Sequence, residues 1–390
     1  MSQQPIALSK DLQQLREEGY DIGIEAGHLL VRDIPYATAS KMVKRGTLVS
    51  TLHLAGDVTL PPETHVAYFI GEQPCDANGV PLTRIMAGGG QALATGLTVQ
   101  HTFSSKPASG RYENYYEKMT TYARILEHEA HAIDANATAK TFAFVPAGEE
   151  SVFEYEDTAS SRAKIAALMD KFRPYAIAII GLGGTGSYIL DFIAKTPVRE
   201  IHLFDGDRFG QHNAFRSPGA PGIEDLRKVQ NKATYYRTLY ARMHKHVIDH
   251  PYYIDGANVD ELRQMTFVFL CIDRAAARKF IIERLEAFGI TFVDVGMGIP
   301  RSDGALTGIL RVTTSTPDKR SHVRGLVPLA DVDVENDYDT NIQIADLNAL
   351  NAALAVIKWK KLCGFYEDTR HEHHATYTIR ANMLVNEEEA

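Results

Sequence analysis

The apolar pattern over the first ~150 of this chain's 390 residues differs from the rest. There the apolar positions fall in short runs: HLLVRDIPY from His28 to Tyr36, TLVSTLHLAG from Thr47 to Gly56, and HVAYFIG from His65 to Gly71. Turn sequences occur at LPPETH, before the third run, and at CDANGVP, after it. Such runs between Gly/Pro/Asn-rich breaks read as strands. Helical spacing shows in a short amphipathic stretch, Lys10 to Glu18. It shows again over Tyr112 to His131, where Tyr115, Tyr116, Met119, Tyr122, Ile125 and Leu126 recur. Residues 1–150 are therefore expected to form a small α+β domain.

An acidic segment, Ala147 to Ser161, reads as a linker. Ser160 or Ser161 then caps a predicted helix, SRAKIAALMDKF. From Tyr175 the pattern becomes strand, turn, helix, strand. Ile177, Ile179 and Ile180 lead into Gly181, Gly183, Gly184 and Gly186. Helical spacing continues through Tyr188, Ile189, Phe192 and Ile193, and a second strand from Ile201 to Phe204 ends on Asp205. Phe267 to Ile272 reads as a further strand ending at Asp273. Beyond it lie a strand pair over Leu306 to Thr314, a loop from Ser315 to Thr340, an apolar helix from Ile342 to Leu362, and a strand-like tail. Residues 160–390 are thus expected to form an α/β domain.

A strand, a glycine-rich turn, a helix and a second strand closed by an acid make a nucleotide-binding βαβ unit. Glycines let backbone N–H groups approach phosphate oxygens, and the helix amino terminus adds its positive dipole end. An acid after the second strand accepts hydrogen bonds from ribose hydroxyls. Gly181, Gly183 and Gly186 fit the dinucleotide pattern, with Asp205 19 residues beyond Gly186. The residues past Asp205 favour ATP: Asp207, Asn213, Arg216, Lys228 or Lys232, and Asp273. Attack of a carboxylate on the α-phosphate builds negative charge, and cations with a metal-binding carboxylate stabilise it. The structural alternative is a buried Arg216–Asp273 ion pair.

These motifs, GLGGTGS at Gly181 to Ser187, DGD at Asp205 to Asp207, N-x-x-R at Asn213 to Arg216 and CID at Cys271 to Asp273, resemble the ThiF/MoeB-type adenylating enzymes. That family includes the ubiquitin-activating enzymes. GMGI at Gly296 to Ile299 falls where the family has another turn. The resemblance covers about Ser160 to Tyr366 and implies a Rossmann-like adenylation domain that binds ATP and Mg²⁺. It implies that Gly181, Gly183, Gly184 and Gly186 cradle phosphates and that Asp205 holds the ribose. Asp207 belongs to the same pocket; Asn213 and Arg216 face the phosphates, and Asp273 binds Mg²⁺. A lysine contacts the phosphates: Lys232 fits the family's lysine-alanine pattern better, and Lys228 stays open. Arg162 is the counterpart of an arginine that reaches the partner subunit's site in a homodimer. The amino-terminal domain is similar to one found before some bacterial ThiF-type modules.

Composition changes this picture little. Net charge is −8 with scattered cations, which argues against nucleic acid as a partner. No window approaches a membrane span, and the polar amino terminus has no signal-peptide core, so a cytoplasmic location is expected. Cys75, Cys271 and Cys363 form no CxxC pair, which excludes the zinc site many ThiF-type enzymes carry. None lies in the Ser315–Thr340 loop, where ubiquitin-activating enzymes place a nucleophile. Cys271 and Cys363 read as packing residues, and Cys75 as the best-exposed thiol. His128 and His131 read as helix surface, and His371, His373 and His374 as a poor metal cluster. The expected function is adenylation of the carboxy-terminal glycine of a small ubiquitin-like protein in a bacterial conjugation pathway, with a conjugating-enzyme-like partner. The ending NEEEA marks the activator rather than the modifier. Alternatives are a tRNA-modifying dehydratase, a sulfur-carrier adenylyltransferase, a NAD-dependent oxidoreductase, and an inactive scaffold.

Overall fold

The computed structural model describes residues 4–142, 151–162, 165–329 and 342–387. The chain divides into two compact units, Met1–Glu149 and Glu150–Ala390. The first is mostly strands. Helix α1 (Lys10–Glu17) precedes β1 (Asp21–Glu25), β2 (His28–Ala37), β3 (Val43–Thr51), β4 (Val66–Ile70), β5 (Met86–Gly88) and β6 (His101–Ser104). These pair antiparallel in the order β1-β2-β3-β4-β6-β5. Helix α2 (Tyr115–His131) turns Tyr115, Met119, Tyr122 and Leu126 into one core with Leu29, Val31, Leu48, Phe69 and Phe103. Asn114 caps it by accepting from Glu117 N, and Asp11 of α1 accepts from Tyr115 N at 2.9 Å, placing an acid at the positive helix end.

One lysine breaks the apolar rule of that core. Lys118 is 1% exposed and donates to Ser50 Oγ at 2.8 Å and to the Thr64 carbonyl at 2.9 Å. Burial pulls its pKa down to about 8. Cys75 is a correction to the sequence reading. Its turn composition suggested exposure, but Cys75 bridges Ala37 and Pro81 and is fully buried. Burial first, and Asp76 second, push its thiol above the ordinary range.

The second unit is built on an eight-stranded sheet. Its elements are β7 (Ala176–Ile180), α3 (Gly184–Ile193), β8 (Glu200–Phe204), α4 (Lys232–Tyr240), β9 (Val247–His250), β10 (Phe267–Leu270), α5 (Ala275–Phe288), β11 (Thr291–Gly298), β12 (Ile309–Ser315), α6 (Ala345–Leu362), β13 (His374–Thr378) and β14 (Met383–Glu387). The order is β9-β8-β7-β10-β11-β12-β13-β14. The first five strands run parallel and the last three are antiparallel. Parallel strands are covered on both faces. Ile177 and Ile179 of β7 pack with residues of α3, α4 and α6, while Ala178 and Ile180 pack with residues of α5. The chain leaves β7 toward β8 and β9, then returns to β10 on the other side. That reversal opens a crevice at the carboxyl ends of β7 and β10, where open α/β sheets bind ligands.

Among the boundaries that differ from expectation are three in this unit. β10 stops at Leu270, so Cys271 and Ile272 lie in the turn after it. Gly296 to Gly298 are no turn: they continue β11 against β12, because Gly296 opposite Arg311 leaves room for that guanidinium. The last long helix starts at Ala345. Parts of the expected linker (147–150) and of the Ser315–Thr340 loop (330–340) lie outside the described residues.

Candidate nucleotide site

The glycine turn owes its shape to three neighbours. Gly181 takes φ +90° directly after β7, and a Cβ there would lie 2.6 Å from the Cys271 carbonyl oxygen. At Gly186 a Cβ would lie 1.9 Å from the Gly181 carbonyl oxygen, and at Gly184 it would lie 2.0 Å from Asn348 Nδ2. These three glycines let the turn and the start of α3 close on the chain around them. Gly183 differs. It is the residue before α3, and a Cβ on it would meet nothing within 4 Å. Its open side is the room a phosphate would need at the helix amino terminus.

Asp205 closes β8 at 6% exposure. Its Oδ2 accepts from Leu182 N at 2.7 Å and its Oδ1 from Asp207 N at 2.8 Å, which joins the glycine turn to the end of the second strand. Burial raises its pKa, against the opposing charge of Lys232 and the two amides. Lys232, the first residue of α4, is 6% exposed. Its Nζ lies 2.8 Å from Asp207 Oδ2 and 3.7 Å from Asp205 Oδ2. For Asp207 burial acts upward, but hydrogen bonds from Lys232 and Tyr253 prevail and hold it below the usual carboxylate range. Lys228 is exposed and pairs with Asp225 at 3.1 Å. The geometry thus brings Lys232 to the acids and leaves Lys228 at the surface.

Asn213 is 1% exposed. Its Oδ1 accepts from Gly210 N at 2.9 Å, while its Nδ2 has no hydrogen-bond partner among the described residues. Arg216 Nε is likewise buried and unpartnered. Two buried donors without acceptors are costly in isolation, and phosphate oxygens would satisfy both. Arg216 is held through its backbone: Asn348 Nδ2 donates to the Arg216 carbonyl at 3.3 Å, and Asn348 Oδ1 accepts from Thr185 Oγ1 at 3.0 Å. Asn348 therefore links α6, the glycine-turn helix and the Asn213–Arg216 segment.

Asp273 lies just past β10 and is exposed, so it is not half of a buried ion pair with Arg216. An exposed carboxylate beside a phosphate cradle fits Mg²⁺, which commonly takes one or two carboxylates plus phosphate oxygens. Arg162 ends a short helix, Thr158–Arg162, and its side chain lies outside the described residues. Sequence reasoning missed Tyr253, whose hydroxyl donates to Asp207 and whose ring lies against Gly206. Its only signal was an aromatic pair just after β9. It also missed Asn348, one of two asparagines in an otherwise apolar helical pattern. Neither thiol of this unit is activated: burial pushes Cys271 well up and Cys363 to about 11.

A glycine turn at a helix amino terminus, an acid ending the next strand, and a buried lysine beside that acid define a Rossmann-like nucleotide-binding unit. The family model described as "ThiF family" matches residues 157–380, more than half of the chain, and the chain belongs to that family. Its members are adenylating enzymes. A second model, described as a domain of unknown function (DUF6791), matches residues 10–158. Ubiquitin-like modifier-activating enzyme 5 of Rattus norvegicus is 25% identical over 154 residues, 37% of this chain and 37% of that protein. The Mus musculus counterpart is 25% identical over 156 residues, 36% of this chain and 37% of its own length. The chain thus spans little more than a third of these relatives. Among solved structures, E. coli MccB with MccA-N7isoASN superposes with a TM-score of 0.46 at 15% identity, covering 57% of this chain and 66% of that one. The crystal structure of SeMet PaaA superposes with a TM-score of 0.45 at 18% identity, covering 57% and 75%. No helix among the described residues is long and apolar enough to cross a membrane.

Proposed function

We propose that the chain uses ATP and Mg²⁺ to adenylate the carboxy-terminal glycine of a small ubiquitin-like protein. The observation that carries this reading is the pair of buried, unpartnered donors, Asn213 Nδ2 and Arg216 Nε, on a segment that Asn348 ties to the glycine-turn helix. A carboxylate oxygen of the modifier attacks the α-phosphorus. The bond from that phosphorus to the bridging oxygen breaks, and pyrophosphate leaves with the electron pair, giving an acyl-adenylate. The turn amides and the α3 amino terminus hold the phosphates, Asn213 and Arg216 receive the developing charge, and Asp205 accepts from the ribose. Lys232 exchanges Asp207 for phosphate oxygen. Asp273 would hold Mg²⁺, which supplies charge neutralisation at the leaving group.

The remainder of the proposal rests on the family. Residues 160–390 are the adenylating domain and act as a homodimer in a bacterial, cytoplasmic conjugation pathway, with Arg162 reaching the partner's site. Residues 1–150 recruit the modifier or a conjugating-enzyme-like partner. The test is exchange of radiolabelled pyrophosphate into ATP, driven by a β-grasp protein ending in glycine. Arg216→Ala and Asp273→Ala each lower exchange by about 10²–10³ with the fold retained by circular dichroism. Exchange within a few-fold of wild type in both variants, or exchange that persists when the terminal carboxylate is amidated, overturns the reading.

A further inference from the structure

Buried charge lies behind the site as well as in it. Asp294 of β11 is completely buried, with Arg278 of α5 on one side and Arg311 of β12 on the other. Arg278 Nε is 3.2 Å from Asp294 Oδ1, and Arg311 Nη2 is 2.6 Å from Asp294 Oδ2. A buried ionic cluster of this kind is weak evidence for stability, since apolar residues of the same volume often serve as well. The two arginines differ in what else they hold. Arg311 Nη1 donates to Thr313 Oγ1 at 2.7 Å, within its own strand. Arg278 instead uses both terminal nitrogens on backbone of other segments: Nη2 donates to the Ile272 carbonyl, and Nη1 donates to the Pro328 carbonyl at 3.2 Å. Ile272 is the residue immediately before Asp273. The short turn after β10 has no regular secondary structure to fix it, so the guanidinium takes that part.

We infer that Arg278, oriented by Asp294, is a positioning residue: its hydrogen bond to the Ile272 carbonyl sets the Asp273 carboxylate for Mg²⁺, and its bond to Pro328 couples that carboxylate to the chain 55 residues further on. This rests on the adenylation reading, and binding measurements separate the two. Calorimetric titration of ATP into the full chain, in Mg²⁺ and in EDTA, gives the tightening due to the metal. In Arg278→Lys that tightening falls by about 10–100-fold, the usual cost of removing an orienting partner of a metal ligand, while affinity in EDTA stays within a few-fold. Arg311→Lys breaks a contact to the same Asp294 without touching Ile272. It lowers the melting temperature but keeps the tightening. Equal loss in both variants, or none in Arg278→Lys, overturns the inference. If the lysine variant does not fold, hydrogen exchange on the wild type decides. MgATP then protects the amides of residues 271–274 together with those of Val327 and Leu329, and protection of the first group alone refutes the coupling. A wild type that binds no ATP overturns the adenylation reading itself.

Discussion

Two glycines of one turn are predicted to fail in opposite ways when each is changed to alanine. At Gly186 the added methyl would sit 1.9 Å from the Gly181 carbonyl oxygen and 3.2 Å from Cys271 Cβ. Backbone bounds it on one side and the β10 turn on the other, so no flexible side-chain end can move aside. Overpacking of this kind costs ~1–3 kcal/mol or more. With roughly 2–4 °C of melting temperature per kcal/mol for a unit of this size, Gly186→Ala should lower the transition by about 2–12 °C. At Gly183 nothing lies within 4 Å of the added methyl, and φ is −70°, outside the left-handed region. Stability should stay within about 0.5 kcal/mol of wild type, while the methyl occupies the space through which phosphate reaches the α3 amino terminus. At a hundred times its dissociation constant, ATP should stabilise the wild type by ~2.7 kcal/mol, roughly 5–11 °C. Gly183→Ala should lose that shift. The assay is differential scanning calorimetry with MgATP, with NAD as the control that should give no shift in either protein. A Gly183→Ala variant stabilised by ATP as fully as wild type would refute the assignment. So would NAD stabilisation without ATP stabilisation, which would restore the oxidoreductase.

Lys118 is predicted to add stability to the amino-terminal unit as pH rises from 8 toward 10.5. Its pKa is 10.5 when exposed and about 8 in the fold, so below pH 8 both states hold the proton and the burial penalty of about 3 kcal/mol is complete. Between pH 8 and 10.5 the folded state releases a proton that the unfolded chain keeps, so stability rises; urea unfolding of wild type against Lys118→Met should show a gap that shifts by that amount, and a flat gap refutes it. The thiols predict a negative result. A variant with Cys75, Cys271 and Cys363 replaced by Ala or Ser should still adenylate, losing roughly 1 kcal/mol or more at each buried position. A reductant-sensitive adduct on a non-reducing gel, abolished by replacing one particular cysteine, would establish a thioester instead.

The parts of the fold legible in the sequence are those where local pattern and final environment coincide. Ile177 to Ile180 form a continuous apolar run because β7 is buried on both faces, and Gly181, Gly184 and Gly186 after it mark a backbone path closed to other residues. Asp205 could be placed because the second strand ends on it. What escaped depends on contacts distant in sequence. Cys75 looks like a turn residue locally, yet it bridges Ala37 and Pro81 and is buried. GMGI reads as a turn, yet it is strand, because its first glycine faces the Arg311 guanidinium rather than a bend.

The same contrast separates the residues that would meet the nucleotide from those that hold them. Residues of the first kind cluster in short motifs, since a turn, a strand end and a helix start can present them only at fixed spacings. Their supports do not. Asn348 lies 132 residues after Arg216, whose carbonyl it holds, and Asp294 lies 16 residues after Arg278, whose guanidinium it orients. Each is a polar group flanked by apolar residues: Asn348 between Leu347 and Ala349, Asp294 between Val293 and Val295. Burying a polar group without a partner is costly, so such a residue in a strand or helix with both neighbours apolar implies a partner elsewhere in the chain. Here Asn348 bonds directly to the segment of the candidate phosphate residue Arg216, and Asp294 reaches the turn that carries Asp273 only through Arg278. An isolated polar residue inside an apolar pattern is therefore a sequence-level sign of a support, even where its partner stays hidden until the fold is known.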